Sequence, residues 1–302
     1  MDTYQLRDKR VLVTGASSGI GWDLAQAFSA RGAQLSISAR REQRLEDLAT
    51  LIESSGHHRP LVIPADLSRP DASKDIASHI TERFGGLDVL VNNAGSAAGG
   101  TVWAVGDRDE ARTMFEVDFW SPLALIAEFV PAMRHQGHGA VVNVTSLRQV
   151  LAWPLFGHSS AAKAALAQAT ETLRLELIGS GVRVVEVIAG PIETPAQGPT
   201  RLIPGIVDSV HGRFGVAEPS ELASRVVHAV EEEEPRVFCP QAPTRTAYEN
   251  PTKLRADIFD DVQRMVTNGT GLPDESLDDL VVGADDPIIQ QARQNWEQEH
   301  AR

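Results

Sequence analysis

Short, almost wholly apolar runs recur along the first 240 residues: Val11-Leu12-Val13, Leu35-Ser36-Ile37, Leu61-Val62-Ile63, Val89-Leu90-Val91, Val141-Val142-Asn143-Val144 and Val184-Val185-Glu186-Val187. They are rich in β-branched side chains and bounded by turn residues, which predicts buried strands. Amphipathic stretches near 20–31, 41–54, 71–84, 110–136 and 159–179 fall between them. Strand and helix alternating in this way predict a parallel sheet with helices on both faces. A helix near 219–233, followed by Arg236-Val237-Phe238, adds a seventh strand. The expected class is α/β, a doubly wound seven-stranded parallel sheet.

The rhythm breaks twice. Residues 188–216 hold four prolines and five glycines with little periodicity, and read as one long loop. A long loop in a compact α/β domain usually carries function. After Pro240 the strands stop. Helical stretches near 252–267 and 286–299, separated by Asn268-Gly269-Thr270-Gly271 and acidic polar sequence, read as a helical extension of 241–302 appended to a domain of 1–240.

Charge sharpens that division. The net charge is −13, and residues 231–302 hold 16 acidic against 7 basic side chains, so the tail carries most of the excess. This balance argues against nucleic acid or an anionic membrane as partner. The longest apolar stretch, Phe119 to Met133, is interrupted by Glu128 and too short to span a bilayer. The first ten residues lack the apolar segment of a secretory signal. Cys239, the single cysteine, offers neither an internal disulfide nor a metal-ligand cluster, so no metal is expected. A soluble, cytoplasmic protein is the expectation.

The first strand runs into Thr14-Gly15-Ala16-Ser17-Ser18-Gly19-Ile20-Gly21 and then a helix. Glycines at such a junction permit a tight turn and let main chain approach a pyrophosphate at the positive end of the helix. Three more motifs follow strands in order: Asp66-Leu67, Asn92-Asn93-Ala94-Gly95 and Gly190-Pro191-Ile192-Glu193-Thr194. Together these motifs resemble those of the short-chain dehydrogenase/reductase family over roughly residues 5–240. The resemblance implies a Rossmann-type domain and a nicotinamide dinucleotide on Gly15, Ser17, Ser18, Gly19, Ile20 and Gly21. It further implies that Asp66 and Leu67 face the adenine, that Asn93, Ala94 and Gly95 lie beside the cofactor, and that Ile192 and Thr194 hold the carboxamide. Where NAD-preferring relatives carry an acid after the second strand, this chain has Ser38-Ala39-Arg40-Arg41. Arg40 and Arg41 suit a 2′-phosphate, so NADP(H) is the expected cofactor, although both could simply open a solvated helix with Glu42.

The family's reaction centre is a Ser, a Tyr thirteen residues later, a Lys four beyond that, and an Asn on the preceding long helix. Ser146 and Lys163 match, and Lys163 would also hold the cofactor ribose. The Tyr position is Ser159 and the Asn position is Asp118; the only tyrosines are Tyr4 and Tyr248. A serine hydroxyl is a far weaker acid than a phenol and shorter in reach, and losing a positioned general acid costs about 10²–10⁴ in rate. Ser159 also has a plain reading as a helix-start serine. His158 neighbours it but points about 100° away on a helix, and Tyr248 could reach the site only if the tail folded back.

The family's layout puts substrate walls in 96–104, 147–157 and 193–215, with Trp103, Leu151, Trp153 and Phe156 as apolar candidates and Arg148 as the charged one. An apolar or aromatic small molecule is expected. The alanine-rich face of 161–169 can pack closely against another helix. Since the helix bearing it and the preceding long one commonly form the family's dimer interface, the resemblance implies a homodimer or homotetramer. Three readings follow. The first is an oxidoreductase acting on a carbonyl or alcohol with an atypical proton donor. The second is a redox-neutral cyclase, isomerase or lyase. The third is a non-catalytic NADP(H)-binding subunit.

Overall fold

All seven expected strands form, and the alternation of their side chains shows why. Val11 and Val13 enter one apolar cluster while Leu12 enters another; Val89 and Val91 divide from Leu90 in the same way. Strands with both faces buried need apolar side chains at every position, hence the unbroken runs. A computed structural model describes residues 4–96, 99–194 and 204–268, with 281, 282, 290, 291, 294 and 298. β1 (Arg10–Thr14), β2 (Gln34–Ala39), β3 (Leu61–Pro64) and β4 (Val89–Asn92) are followed by the two-residue β5 (Gly99–Gly100). β6 (Gly139–Ser146), β7 (Val182–Ala189) and β8 (Arg236–Cys239) complete the main sheet. Its order is β3-β2-β1-β4-β6-β7-β8, with every neighbouring pair parallel.

The chain winds outward from β1 to β3, then returns to lay β4 against β1. Ligands bind at such a reversal, outside the carboxyl ends of the strands. On one face lie α1 (Gly19–Ala30) and α2 (Glu42–Ser54); α3 (Ala72–Phe84) covers the other. A short α4 (Val102–Val105) precedes α5 (Asp109–Phe115). The helix expected over 110–136 is not continuous. A π-helical turn, Glu116–Trp120, separates α5 from α6 (Ser121–Gln136) and brings Asp118 inward, buried to 1% exposure. A π turn inserts an extra residue and so rotates the side chains before it relative to those after it.

A 3₁₀ turn, Leu147–Gln149, leads from β6 toward α7 (Gly157–Glu176). The expected loop over 188–216 contains a helix, α8 (Pro204–Phe214). α9 (Pro219–Glu231) packs against α1. In the tail, α10 (Gln241–Glu249) and α11 (Pro251–Thr267) place Ala247, Leu254 and Ile258 in one apolar cluster with Leu147, Leu151, Trp153, Leu155, Phe156, Phe214 and Phe238. Arg213 on α8 pairs with Asp257 at 3.3 Å and with Asp261 at 2.5 Å on α11. β9 (Val281–Val282) pairs antiparallel with β5. Of the helix expected over 286–299, residues 290, 291, 294 and 298 are described and helical; the remainder lies outside the described residues.

Candidate active site

The turn after β1 and the loop after β4 are tied together by one threonine. Thr14 Oγ1 donates to the Val91 carbonyl at 3.1 Å and accepts from the amides of Asn93 and Ala94 at 3.0 and 3.1 Å. Asn93 Nδ2 returns a bond to the Thr14 carbonyl at 2.8 Å. Glycine is required where these loops meet. Gly15 has φ +68°, and a Cβ there would lie 2.8 Å from Ala94 Cα. At Gly21 a Cβ would sit 2.3 Å from the Gly15 carbonyl oxygen. Ser18 occupies the N-cap of α1 without a side-chain bond to the helix; its Oγ accepts from Arg41 Nη2 at 2.8 Å instead. The first-turn amides of α1 therefore keep their capacity to hold an anion. A bare main-chain cradle with a cation across it fits a dinucleotide pyrophosphate.

This turn lines a cavity of about 320 Å³ together with Ala39, Arg40, Arg41, Asp66, Leu67, Asn93, Ala94, Gly95 and Thr194. Arg41 is spent partly on the turn itself, since its Nη2 also reaches the Ser17 carbonyl at 3.2 Å. Asp66 Oδ1 accepts from the amide and hydroxyl of Ser68 at 3.0 and 2.8 Å, which fixes the carboxylate beside the cavity. Ile192 is brought near but not into the lining; it is buried and bridges to Ala217.

The far end of the same cavity gathers Ser146 from β6, Asp118 from the π turn, and Ser159 and Lys163 from α7. Lys163 Nζ lies 2.8 Å from Asp118 Oδ1 and donates to the Val144 carbonyl at 3.1 Å. The second Asp118 oxygen accepts from the Ser96 amide at 3.0 Å. Gly95 makes room for this pair, because a Cβ there would come within 3.1 Å of Asp118 Oδ1. Ser146 Oγ donates to the Ala189 carbonyl and accepts from the Arg148 amide, both at 3.2 Å. Ser159 is buried, and its Oγ receives Arg148 Nη1 at 3.3 Å. The guanidinium therefore stands at the position four before Lys163, with its carbon 4.4 Å from the centre of the Phe156 ring. Burial lowers the Arg148 pKa from its usual value, and the charge of Asp118 opposes that shift.

Among the expected substrate walls, Arg148 and Phe156 line the cavity. Leu151 and Trp153 are buried in the apolar cluster that receives the tail, outside the lining, and Trp103 is 64% exposed on α4. Trp153 and Leu151 anchor the loop between β6 and α7, which accounts for their aromatic and aliphatic character. His158 points away, its Nε2 2.8 Å from the Gly106 carbonyl. Tyr248 packs edge-on against Phe238 at 5.4 Å and is absent from the cavity lining. Sequence reasoning missed Thr113 and Val117, which also line the cavity, and the Ser96 amide and Val144 carbonyl that hold Asp118 and Lys163. The last two are main-chain groups, for which side-chain identity carries no signal.

The profile of the short chain dehydrogenase family matches residues 9–202, spanning the glycine turn, the Asn-Asn-Ala-Gly loop, Ser146 and Lys163. The chain belongs to the short-chain dehydrogenase family. This family member is 34% identical over 233 residues to the 11-beta-hydroxysteroid dehydrogenase 1A of Arabidopsis thaliana, covering 74% of this chain and 66% of that one. It thus spans just under two thirds of that relative's length. Among solved structures, the L-sorbose reductase of Gluconobacter frateurii complexed with NADPH and L-sorbose superimposes with a TM-score of 0.70 at 28% identity. That match covers 78% of this chain and 97% of the reductase. A Burkholderia phymatum short chain dehydrogenase/reductase in complex with NAD shares the fold, with a TM-score of 0.72 at 23% identity over 85% and 96% of the two chains. Among the described residues no helix is long and apolar enough to cross a membrane, and no group of three His, Cys, Asp or Glu side chains could hold a metal.

Proposed function

We propose that this protein is an NADP(H)-linked oxidoreductase acting on a carbonyl or alcohol of a small molecule, with a proton donor other than tyrosine. The observation that carries the reading is the continuity of one cavity from the glycine cradle to the Lys163–Asp118 pair. In this reading Gly15 to Gly21 hold the pyrophosphate, Asp66 and Leu67 the adenine, and Asn93, Ala94, Gly95, Lys163, Ile192 and Thr194 the nicotinamide half. Arg40 and Arg41 select the 2′-phosphate by charge and fork geometry. The bound cofactor supplies hydride chemistry. Asp118 and the Val144 carbonyl hold Lys163 in place, and a water at Ser146 or Ser159 exchanges the proton with the substrate oxygen. The expected homodimer or homotetramer and the cytoplasmic setting belong to the same proposal.

Titration calorimetry with NADPH and NADH tests the cofactor side. NADPH should bind at least tenfold tighter, about 1.4 kcal/mol, and Arg40→Asp should erase or reverse the preference. Equal affinities in the parent protein would sink it. A redox-neutral reaction, a cyclase, isomerase or lyase with the cofactor as spectator, is favoured by one observation: four residues before Lys163 the cavity presents a serine bonded to a guanidinium, not a phenol. Substrate conversion without change in NADPH absorbance would establish that alternative.

A further inference from the structure

Arg148 is a cation in an unusual position. Its residue is half-buried, it lines the cavity, and burial depresses its pKa. Among the described residues no carboxylate comes within ion-pair distance of it. Its side-chain partners are the neutral Ser159 hydroxyl at 3.3 Å and the face of the Phe156 ring. Asp118, the acid that acts on it electrostatically, already faces Lys163 at 2.8 Å and the Ser96 amide at 3.0 Å. The reaction end of the cavity therefore holds two cations against one carboxylate. A desolvated charge without a partner is costly, and such charges are ordinarily paired or coordinated.

The side chain is also well placed to serve a ligand. Ser146 accepts the Arg148 amide and fixes the 3₁₀ turn from which the side chain projects. The guanidinium carbon lies over the Phe156 ring, 4.4 Å from its centre, and the Ser159 bond engages one of the nitrogens, so two contacts hold the group in place. A guanidinium held in this way presents parallel N–H groups that match the two oxygens of a carboxylate.

We propose that the substrate side of the cavity is a carboxylate-recognition site centred on Arg148, and that the natural ligand is a small organic acid. The sequence favoured an apolar or aromatic ligand with Arg148 as the one charged wall residue, and the proposal gives that residue the leading part. It rests on the oxidoreductase reading only for what is done to the bound acid, not for the binding itself.

The test is calorimetric titration of the full-length protein with benzoate and with its neutral counterpart benzamide. Benzoate should bind at least tenfold more tightly. Arg148→Gln should bring the two affinities within about twofold of each other. Arg148→Lys, which keeps the charge and loses the fork, should retain a preference for benzoate at reduced affinity. Equal binding of the two probes by the parent protein would overturn the proposal, and that result needs no variant to fold. A preference that survives in Arg148→Gln would overturn it too, as would equal weakening of both probes, the signature of an arginine that only braces Ser159 and Phe156. NADPH titrated into the parent protein separates the two ideas. NADPH binding without discrimination between the probes removes the carboxylate site and leaves the oxidoreductase reading; discrimination without NADPH binding does the reverse.

Discussion

At one end of the cavity the surface offered to a ligand is main chain; at the other it is side chain. The cofactor end is shaped by the absence of Cβ atoms at Gly15 and Gly21 and by amides of the first turn of α1, locked by Thr14 and Asn93. The reaction end is assembled from Asp118, Ser146, Arg148, Ser159 and Lys163, which reach it from the π turn, β6, the 3₁₀ turn and α7. A main-chain cradle is rebuilt whenever the turn folds, because its geometry is the turn. A side-chain constellation changes its chemistry with each substitution while the scaffold stays as it was. The resemblance read from the sequence implies that Ser159 and Asp118 are such substitutions, and Arg148 bonds the first.

The largest expected effect comes from converting the reaction end back. Ser159→Tyr alone would drive a phenol against the guanidinium 3.3 Å away, so the informative protein is Ser159→Tyr with Arg148→Ala. Reduction of an activated neutral ketone, followed by loss of NADPH absorbance, should rise by about 10²–10⁴-fold, or roughly 3–5.5 kcal/mol of barrier. No gain in a variant that binds NADPH would mean that Asp118 also matters, and Asp118→Asn would be added.

Next in size is the ion pair. Lys163→Met strands the carboxylate of Asp118 at 1% exposure, which should cost about 3–5 kcal/mol in urea unfolding. Adding Asp118→Asn should recover most of that loss; recovery of none would show that Lys163 stabilises the fold through the Val144 carbonyl rather than through charge.

At the cofactor end Gly21→Ala pushes a methyl toward the Gly15 oxygen, 2.3 Å from an unrelaxed Cβ. Overpacking of this sort costs about 1–3 kcal/mol, so NADPH affinity should fall by roughly tenfold or more. Unchanged affinity would break the contrast between a main-chain end and a side-chain end.

The smallest effect concerns the tail. Phe156 lines the cavity and shares an apolar cluster with Leu254 and Ile258 of α11, so the tail belongs with the reaction end. Arg213→Ala removes the partly exposed pairs to Asp257 and Asp261. It should cost under about 1 kcal/mol, and limited proteolysis should cut faster within 209–216. Resistance equal to the parent's would show that the apolar contacts alone hold α8 and α11 together.

Hydrophobic periodicity alone determined the seven strands and their helices, because a strand buried on both faces tolerates little but β-branched and aliphatic residues. The turn after β1 was equally legible. Glycine at a strand-to-helix turn is a local requirement, and Gly15 and Gly21 declare it by type and spacing. Three things were left to tertiary structure. The π turn that carries Asp118 inward interrupts a pattern that reads as one continuous helix over 110–136, since apolar spacing barely registers one extra residue. Leu151, Trp153 and Phe156 are alike as apolar loop residues, yet only Phe156 meets the cavity while the others anchor the loop against the tail. Arg148 and Ser159 are 11 residues apart, and nothing in either one announces the other. Backbone sites are written in short stretches of chain, whereas a side-chain site exists only once distant segments have packed.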